Sequence, residues 1–241
     1  MPHAVIVAHG QPSDPEPAEA ALRNYAQRVG ATAGGVTMHS ATLAAPKRLE
    51  TVLDGLPPDT VIYPLFMANS PFVTSALPKR VPGFRILDPL GIDPALPALV
   101  ADELKAHADN LGWAVAETDL VLAAHGSGRS RIPAASARAF ADAVGKLLEF
   151  ASIRIGFVEE DPTITDAARG SRAQSLCLPF FACEGGHALE DVPSALAAAG
   201  FSGHVLPVLG NLPGIADHIG KRLSEHFSER VRKAPSSTRS L

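Results

Sequence analysis

The chain has 241 residues, 46% of them hydrophobic and 19% charged, which is enough apolar material for one large or two small cores. Its formal net charge of −4 argues against nucleic acid or an anionic membrane as partner, and an anionic ligand would have to be met by local Arg, Lys and backbone N–H groups. No window approaches the apolar run of a membrane span, and Met1 to Gly10 has neither the basic start nor the cleavage site of a signal peptide, so a cytoplasmic protein is expected.

The first predicted element is a short apolar strand, Ala4-Val5-Ile6-Val7-Ala8, leading into His9-Gly10. A helix follows, with Leu22, Tyr25 and Val29 on one stripe. Further strands lead to Ala41–Pro46 and to Pro64, and then comes the segment Phe66-Met67-Ala68-Asn69-Ser70-Pro71-Phe72, continuing to Pro78. A helix ending on Gly112 closes this half, and the join lies between Ala106 and Thr118.

The second half repeats the first. Leu120–Ala124 followed by His125-Gly126 answers the opening strand, with His9 and His125 standing 116 positions apart. Pro46 and Pro162 keep that spacing, so on this overlay Leu43 falls under Glu159. Pro64 and Pro179, and likewise Pro78 and Pro193, are 115 apart. The helix after His125 has Pro133 at its start and a predicted stripe of Phe140, Val144, Leu147 and Leu148. Each half therefore alternates strand and helix three times, the pattern of a parallel sheet covered on both faces. The expected units are residues 1–110 and 118–232, with an aperiodic, disordered tail at 233–241.

In such sheets ligands bind beyond the carboxyl ends of the strands. Three candidate residues of the second half fall there: His125 after its first strand, Glu159 after its second and His187 after its third. Two imidazoles and a carboxylate suit a divalent first-row metal without naming it. In the first half Phe72 stands where His187 would be, so only one half is expected to work. His9 keeps the position of His125 without those partners and is read as structural or cleft-lining. Cys177 and Cys183, with five residues between them, match no C-x-x-C motif and read as buried thiols. His3, His39, His107, His204, His218 and His226 read mainly as solvated side chains, and Glu160, Asp161 and Glu184 as polar loop residues. There is no G-x-S-x-G elbow and no nucleotide phosphate loop.

The set His125-Gly126-Ser127, Glu159-x-x-Pro162 and His187-Ala188-x-x-Asp191-Val192-Pro193 resembles the class II tetrapyrrole chelatases of the sirohydrochlorin chelatase (CbiX/SirB) type, relatives of the anaerobic cobaltochelatase and of ferrochelatase. The resemblance extends over roughly residues 2 to 230. It implies two flavodoxin-like α/β lobes related by internal duplication, with the macrocycle between them. It also implies insertion of a divalent metal into sirohydrochlorin with no nucleotide and no cofactor beyond the metal substrate. Iron, giving sirohaem, is preferred over cobalt for cobalamin, and a non-catalytic tetrapyrrole or metal carrier is the alternative of another class.

In many long members the metal-binding histidines lie in the amino-terminal half, so only His125, Glu159 and His187 take over the family's site, as metal-holding and catalytic residues. Glu159 reads as ligand or as proton acceptor. The turn Gly126–Arg131 is the expected receiver of substrate carboxylates through its backbone N–H groups, Ser127, Arg129 and Arg131, with plain solvation of the two arginines as the other reading. Gly185 and Gly186 are expected to let the backbone approach the flat ring, and His9 completes the substrate-binding set. The duplication makes a monomer sufficient for the cleft, and a homodimer is also open.

Overall fold

The structure is a computed structural model that describes residues 1–233. In the first half, β1 (His3–Ala8), β2 (Thr37–Thr42), β3 (Val61–Pro64) and β4 (Arg85–Ile86) form a four-stranded sheet in the order β2-β1-β3-β4. In the second, β5 (Asp119–Ala124), β6 (Ser152–Phe157), β7 (Ser175–Phe180) and β8 (His204–Val205) repeat that order as β6-β5-β7-β8. All pairings are parallel. The central strands β1 and β5 are covered on both faces, which is why they read as unbroken apolar runs rather than alternating ones. The fourth strand of each sheet is only two residues long and was not anticipated, because a two-residue strand leaves no periodicity to read.

The helices are α1 (Pro15–Thr32), α2 (Arg48–Leu53), α3 (Leu77–Arg80), α4 (Leu96–Asn110), α5 (Ile132–Leu147), α6 (Ile164–Ala168), α7 (Val192–Ala198) and α8 (Ile215–Lys233). Leu22, Tyr25 and Val29 of α1 are buried as their spacing predicts. On α5 the buried stripe is Ala134, Ala137, Phe140, Ala141 and Val144. Leu147, expected on that stripe, is 54% exposed as the last residue of the helix. Residue 233 closes α8, and the remainder of the tail expected at 233–241 lies outside the described residues.

The last helix of each half crosses to the other half. Helix α4 packs against α5, and α8 packs along α1. One large core consequently runs through both sheets, containing Ile6, Tyr63 and Leu104 as well as Leu122, Phe180 and Leu223. The crossing is pinned by polar contacts: the Thr32 hydroxyl donates to the Asp217 carbonyl at 3.1 Å, and Asp93, which precedes α4, accepts from His218 Nε2 of α8 at 2.9 Å. Arg222 Nε lies 3.7 Å from the same carboxylate. His218, read from sequence as solvated, is therefore a half-buried partner of Asp93, and His3 and His39 likewise share a 3.0 Å nitrogen–nitrogen hydrogen bond. Among the described residues, no helix is long and apolar enough to cross a membrane.

Candidate metal centre in the cleft

The centre grows from three strand exits of the second sheet. Where β5 ends, Gly126 takes φ +68°, a left-handed conformation that lets the chain turn immediately after His125. A Cβ at this glycine would sit 2.8 Å from Glu160 Oε1 and 2.9 Å from the Phe157 Cβ, so the position has no room for one either. The turn is fixed by the Ser127 N–H, which donates to Glu160 Oε1 at 2.8 Å. Glu160, read from sequence as a loop residue, is thus the anchor of this turn. Beside it, the Glu159 N–H donates to the His125 carbonyl at 3.0 Å and sets the two site residues next to each other.

His187 enters from β7 through the loop containing Gly185 and Gly186. It opens a five-residue π-helical turn, His187–Asp191, in which the Val192 N–H reaches back to the His187 carbonyl. Pro193 follows, and because it has no N–H to give to the Leu189 carbonyl, the regular ladder is already interrupted here and the wider turn is tolerated. The turn brings Asp191 under the imidazole: His187 Nδ1 lies 2.6 Å from Asp191 Oδ2.

His125, Glu159 and His187 each offer one ligand atom within 4.8 Å of the other two. The two imidazoles meet edge to face, with ring centroids 4.5 Å apart at 83°. All three side chains are between 42% and 46% exposed and so accessible to a ligand. An ionised carboxylate and a carbonyl can only accept, so the contacts of His187 Nδ1 with Asp191 and of His125 Nδ1 with the Gly126 carbonyl (2.9 Å) place the protons on Nδ1. A neutral ring with its proton on Nδ1 presents an unprotonated Nε2, the form that binds a cation. Glu159 Oε2 lies 3.9 Å from His125 Nδ1. The cysteines take no part as thiolates: burial pushes the Cys177 thiol up to about 12 and, with help from Glu184, that of Cys183 up to about 11.

The first sheet carries a reduced copy of this arrangement. His9 leaves β1 as His125 leaves β5, and Phe72 opens the matching π-helical turn Phe72–Ala76. Their rings also meet edge to face, with centroids 4.9 Å apart at 61°. The position of Glu159 is filled by Ala44, whose N–H donates to the His9 carbonyl at 2.9 Å as that of Glu159 does to His125. This corrects the overlay that put Leu43 there. The Leu43 N–H bonds Ala8, as Val158 bonds Ala124, because the one-residue difference between the halves falls before β2, not after it. His9 is exposed, yet its proton affinity is lowered by partial desolvation and then by the charges of His125 and His187.

Around the centre, the remaining expected residues fall as follows. Ser127, Arg129 and Arg131 follow the His125 turn, and Arg129 and Arg131 are exposed with no ion pair among the described residues. Two of the backbone donors expected of this segment are committed: that of Ser127 to Glu160, and the Arg129 N–H to the Ser127 hydroxyl at 3.2 Å. The Ser127 and Ser130 hydroxyls and the Arg129 and Arg131 guanidinium groups are the side-chain donors of this segment. A Cβ at Gly185 or Gly186 would meet no protein atom within 4 Å, so packing within the chain does not demand glycine there. Phe72 and Leu189, each on a π-helical turn, are 47% and 62% exposed, apolar surface of the kind a flat ring covers.

The comparisons with known proteins agree with this geometry. The sequence profile of the CbiX family matches residues 119–226. A solved structure described as CbiX, the terminal enzyme for biosynthesis of siroheme in denitrifying bacteria, is 42% identical, spans 92% of this chain and 98% of its own, and superposes with a TM-score of 0.84. This chain belongs to the CbiX/SirB family of sirohydrochlorin chelatases.

Two structures of SirB share the family's fold with far less sequence in common. One, from Bacillus subtilis with Fe3+, is 14% identical over 96% of this chain and 98% of its own, at a TM-score of 0.72. The other, from Bacillus subtilis subspecies spizizenii in complex with cobalt, is 14% identical over 96% and 97%, at 0.63. No curated protein matches the chain. The stretch that the CbiX profile matches is the half that holds His125, Glu159 and His187, whereas the half with Ala44 and Phe72 lies outside it.

Proposed function

We propose that this CbiX/SirB chelatase inserts Fe2+ into sirohydrochlorin to make sirohaem in the cytoplasm, with His125, Glu159 and His187 holding the incoming ion. The observation that carries the site is the convergence of these three ligand atoms within 4.8 Å at an open cleft, with both imidazoles in the tautomer that frees Nε2. Iron is preferred because the 42% identical relative is described as a terminal enzyme of siroheme synthesis, and siroheme is the iron product. Cobalt is the competing ion, since SirB structures carry iron in one case and cobalt in another. Imidazole and carboxylate ligands accept both.

The chemistry requires an ion to shed water, two pyrrolic N–H protons to leave, and the ring nitrogens to replace protein ligands. Two neutral imidazoles hold a divalent ion while leaving coordination positions free for those nitrogens. Glu159 supports metal entry as an anionic ligand. Arg129, Arg131 and Ser127 are the groups proposed to meet the peripheral carboxylates of the macrocycle, and Gly185 and Gly186 allow its close approach.

The test is anaerobic incubation of purified protein with sirohydrochlorin and Fe2+ or Co2+, following absorbance over many equivalents. Catalysed conversion of all the macrocycle, faster with Fe2+ at equal free ion, supports the reading. Conversion that stops at one equivalent per chain points instead to a tetrapyrrole or metal carrier.

A further inference from the structure

We infer that Asn211 is a positioning residue of the metal centre: its side-chain amide ties the loop that delivers His187 to Arg28 of α1, in the other half of the molecule. Its effect on metal binding rests on the chelatase reading of the site. Through Arg28, the half without metal ligands helps to hold one of them in place.

The loop between β7 and the π-helical turn has little packing of its own, since a Cβ at Gly185 or Gly186 would meet no protein atom within 4 Å. Its base is fixed. The Gly210 N–H donates to the Phe181 carbonyl at 3.0 Å, and a Cβ at Gly210 would collide with the Ala182 carbonyl, so the 3-10 turn Leu209–Asn211 lies directly against the start of the loop. Beyond that base, among the described residues, Glu184 supplies the one side-chain hydrogen bond that leaves the loop before His187: its Oε1 accepts from Asn211 Nδ2 at 3.2 Å. Asn211 Oδ1 in turn accepts from Arg28 Nη2 at 3.1 Å.

An amide suits this place. A guanidinium only donates and an ionised carboxylate only accepts, so a group with one accepting and one donating end bridges them, and the two charges fix which end faces which. The charge at either end strengthens both bonds. Arg28 is itself held, with its guanidinium carbon 5.0 Å from the centroid of the Tyr25 ring. Helix α1 thus reaches the loop through Asn211, while Tyr25 on the same helix and Cys183 on the loop belong to one core.

The duplication shows that a loop of this kind folds without the link. In the first half the 3-10 turn Leu90–Ile92 lies against Phe66 and Met67 in the same way: the Gly91 N–H donates to the Phe66 carbonyl at 2.9 Å, and a Cβ at Gly91 would collide with the Met67 carbonyl. That register sets Ile92 at the position of Asn211 and Asn69 at that of Glu184. The buried stripe Phe140, Ala141 and Val144 of α5 matches Tyr25, Ala26 and Val29 of α1, which sets Ala143 at the position of Arg28. Ile92 and Ala143 have no side-chain hydrogen-bonding group. The chain of contacts is therefore absent where the loop ends in Phe72 and present where it ends in His187.

The experiment measures Co2+ affinity from the visible absorption bands, and backbone hydrogen exchange of residues 183–191 without metal, in Asn211→Ile, Glu184→Ala, Glu184→Gln and Arg28→Ala. Asn211→Ile installs the residue that the first half carries at this position. It and Glu184→Ala should each weaken Co2+ binding about fivefold and speed exchange of the loop by about as much, the effect of losing one hydrogen bond to a charged group near solvent. The double variant should lose no more than either single one, because both remove the same bond. Glu184→Gln keeps an acceptor oxygen for Asn211 and should stay within about twofold of wild type, and Arg28→Ala should lose about twofold. Wild-type affinity and exchange in Asn211→Ile would overturn the assignment, as would losses that multiply in the double variant. So would a loss of affinity that comes only with a lowered urea unfolding midpoint, which would show a general structural role. If wild-type protein binds no Co2+, the metal centre itself falls and Asn211 with it as a positioning residue, whereas loop exchange in Asn211→Ile still reports whether the tie to α1 exists.

Discussion

His187 and Asp191 are joined by a 2.6 Å contact across one π-helical turn, and that contact decides which nitrogen of the imidazole faces the cleft. A regular helix also places residues four apart on one face, but here the widened turn carries His187 at the very start of the element, where its ring reaches His125 as well. Asp191→Asn offers an amide N–H to Nδ1 and favours the opposite tautomer, with the proton on Nε2. Co2+ affinity is expected to fall roughly 10- to 100-fold, readable by titration of the visible absorption bands. Unchanged affinity would mean that Asp191 does not orient the ring.

Removal of either imidazole leaves two ligands where three converge. His125→Ala and His187→Ala are each expected to abolish catalysed insertion, while Phe72→Ala leaves the chemistry largely intact, because Phe72 offers no ligand atom. Wild-type rates in either histidine variant would defeat the assignment of the centre.

The correspondence between Ala44 and Glu159 can be tested by rebuilding. Ala44→Glu combined with Phe72→His gives the first half the same three groups around His9, and Co2+ binding is expected to rise from about one to about two ions per chain by equilibrium dialysis. Leu43→Glu with Phe72→His should leave it at about one, since Leu43 lies one residue short of the strand exit. Equal stoichiometry in the two double variants would refute the register given above.

Gly126→Ala imposes a side chain where φ is +68° and where Glu160 and Phe157 already occupy the space. A loss of about 2 to 3 kcal/mol is expected from urea unfolding midpoints, together with weakened metal binding as the Ser127–Glu160 bond is pushed aside. Gly185→Ala, which meets no protein atom, should be close to neutral in stability, and a deficit in turnover alone would place the macrocycle against it.

The half-buried Asp93 pins α8 to the segment before α4, and its titration sets a pH window. Burial acts to raise its affinity for protons, but the His218 hydrogen bond, the Ala95 N–H and the charges of His218 and Arg222 together outweigh it, so the carboxyl is held below its ordinary value. A depressed folded value means stability that is present in full above the unfolded value, near 4, and is lost as pH falls through the lower folded one. Asp93→Asn should therefore cost about 1 to 3 kcal/mol at pH 7, with the gap from wild type closing below about pH 4 in urea titrations. A gap that persists undiminished into acid would show that the aspartate acts by shape rather than charge.

The sequence alone determined the duplication, the parallel strands, the residues that end them and the three chemically apt side chains of the second half. These are local facts: a doubly covered strand is an apolar run, a turn at its exit needs glycine, and a metal needs imidazole or carboxylate within the next residues. Even Asp191 left a trace, standing four residues after His187. What only the tertiary structure decided is non-local. The crossing of α4 and α8, the pairing of His218 with Asp93, the anchoring of the Ser127 turn by Glu160, and the placing of Ala44 rather than Leu43 opposite Glu159 all depend on which backbone groups meet across the sheets. One inserted residue in a helix or loop shifts a sequence overlay without shifting a hydrogen-bonded register, because strands are fixed by their neighbours and not by their distance along the chain.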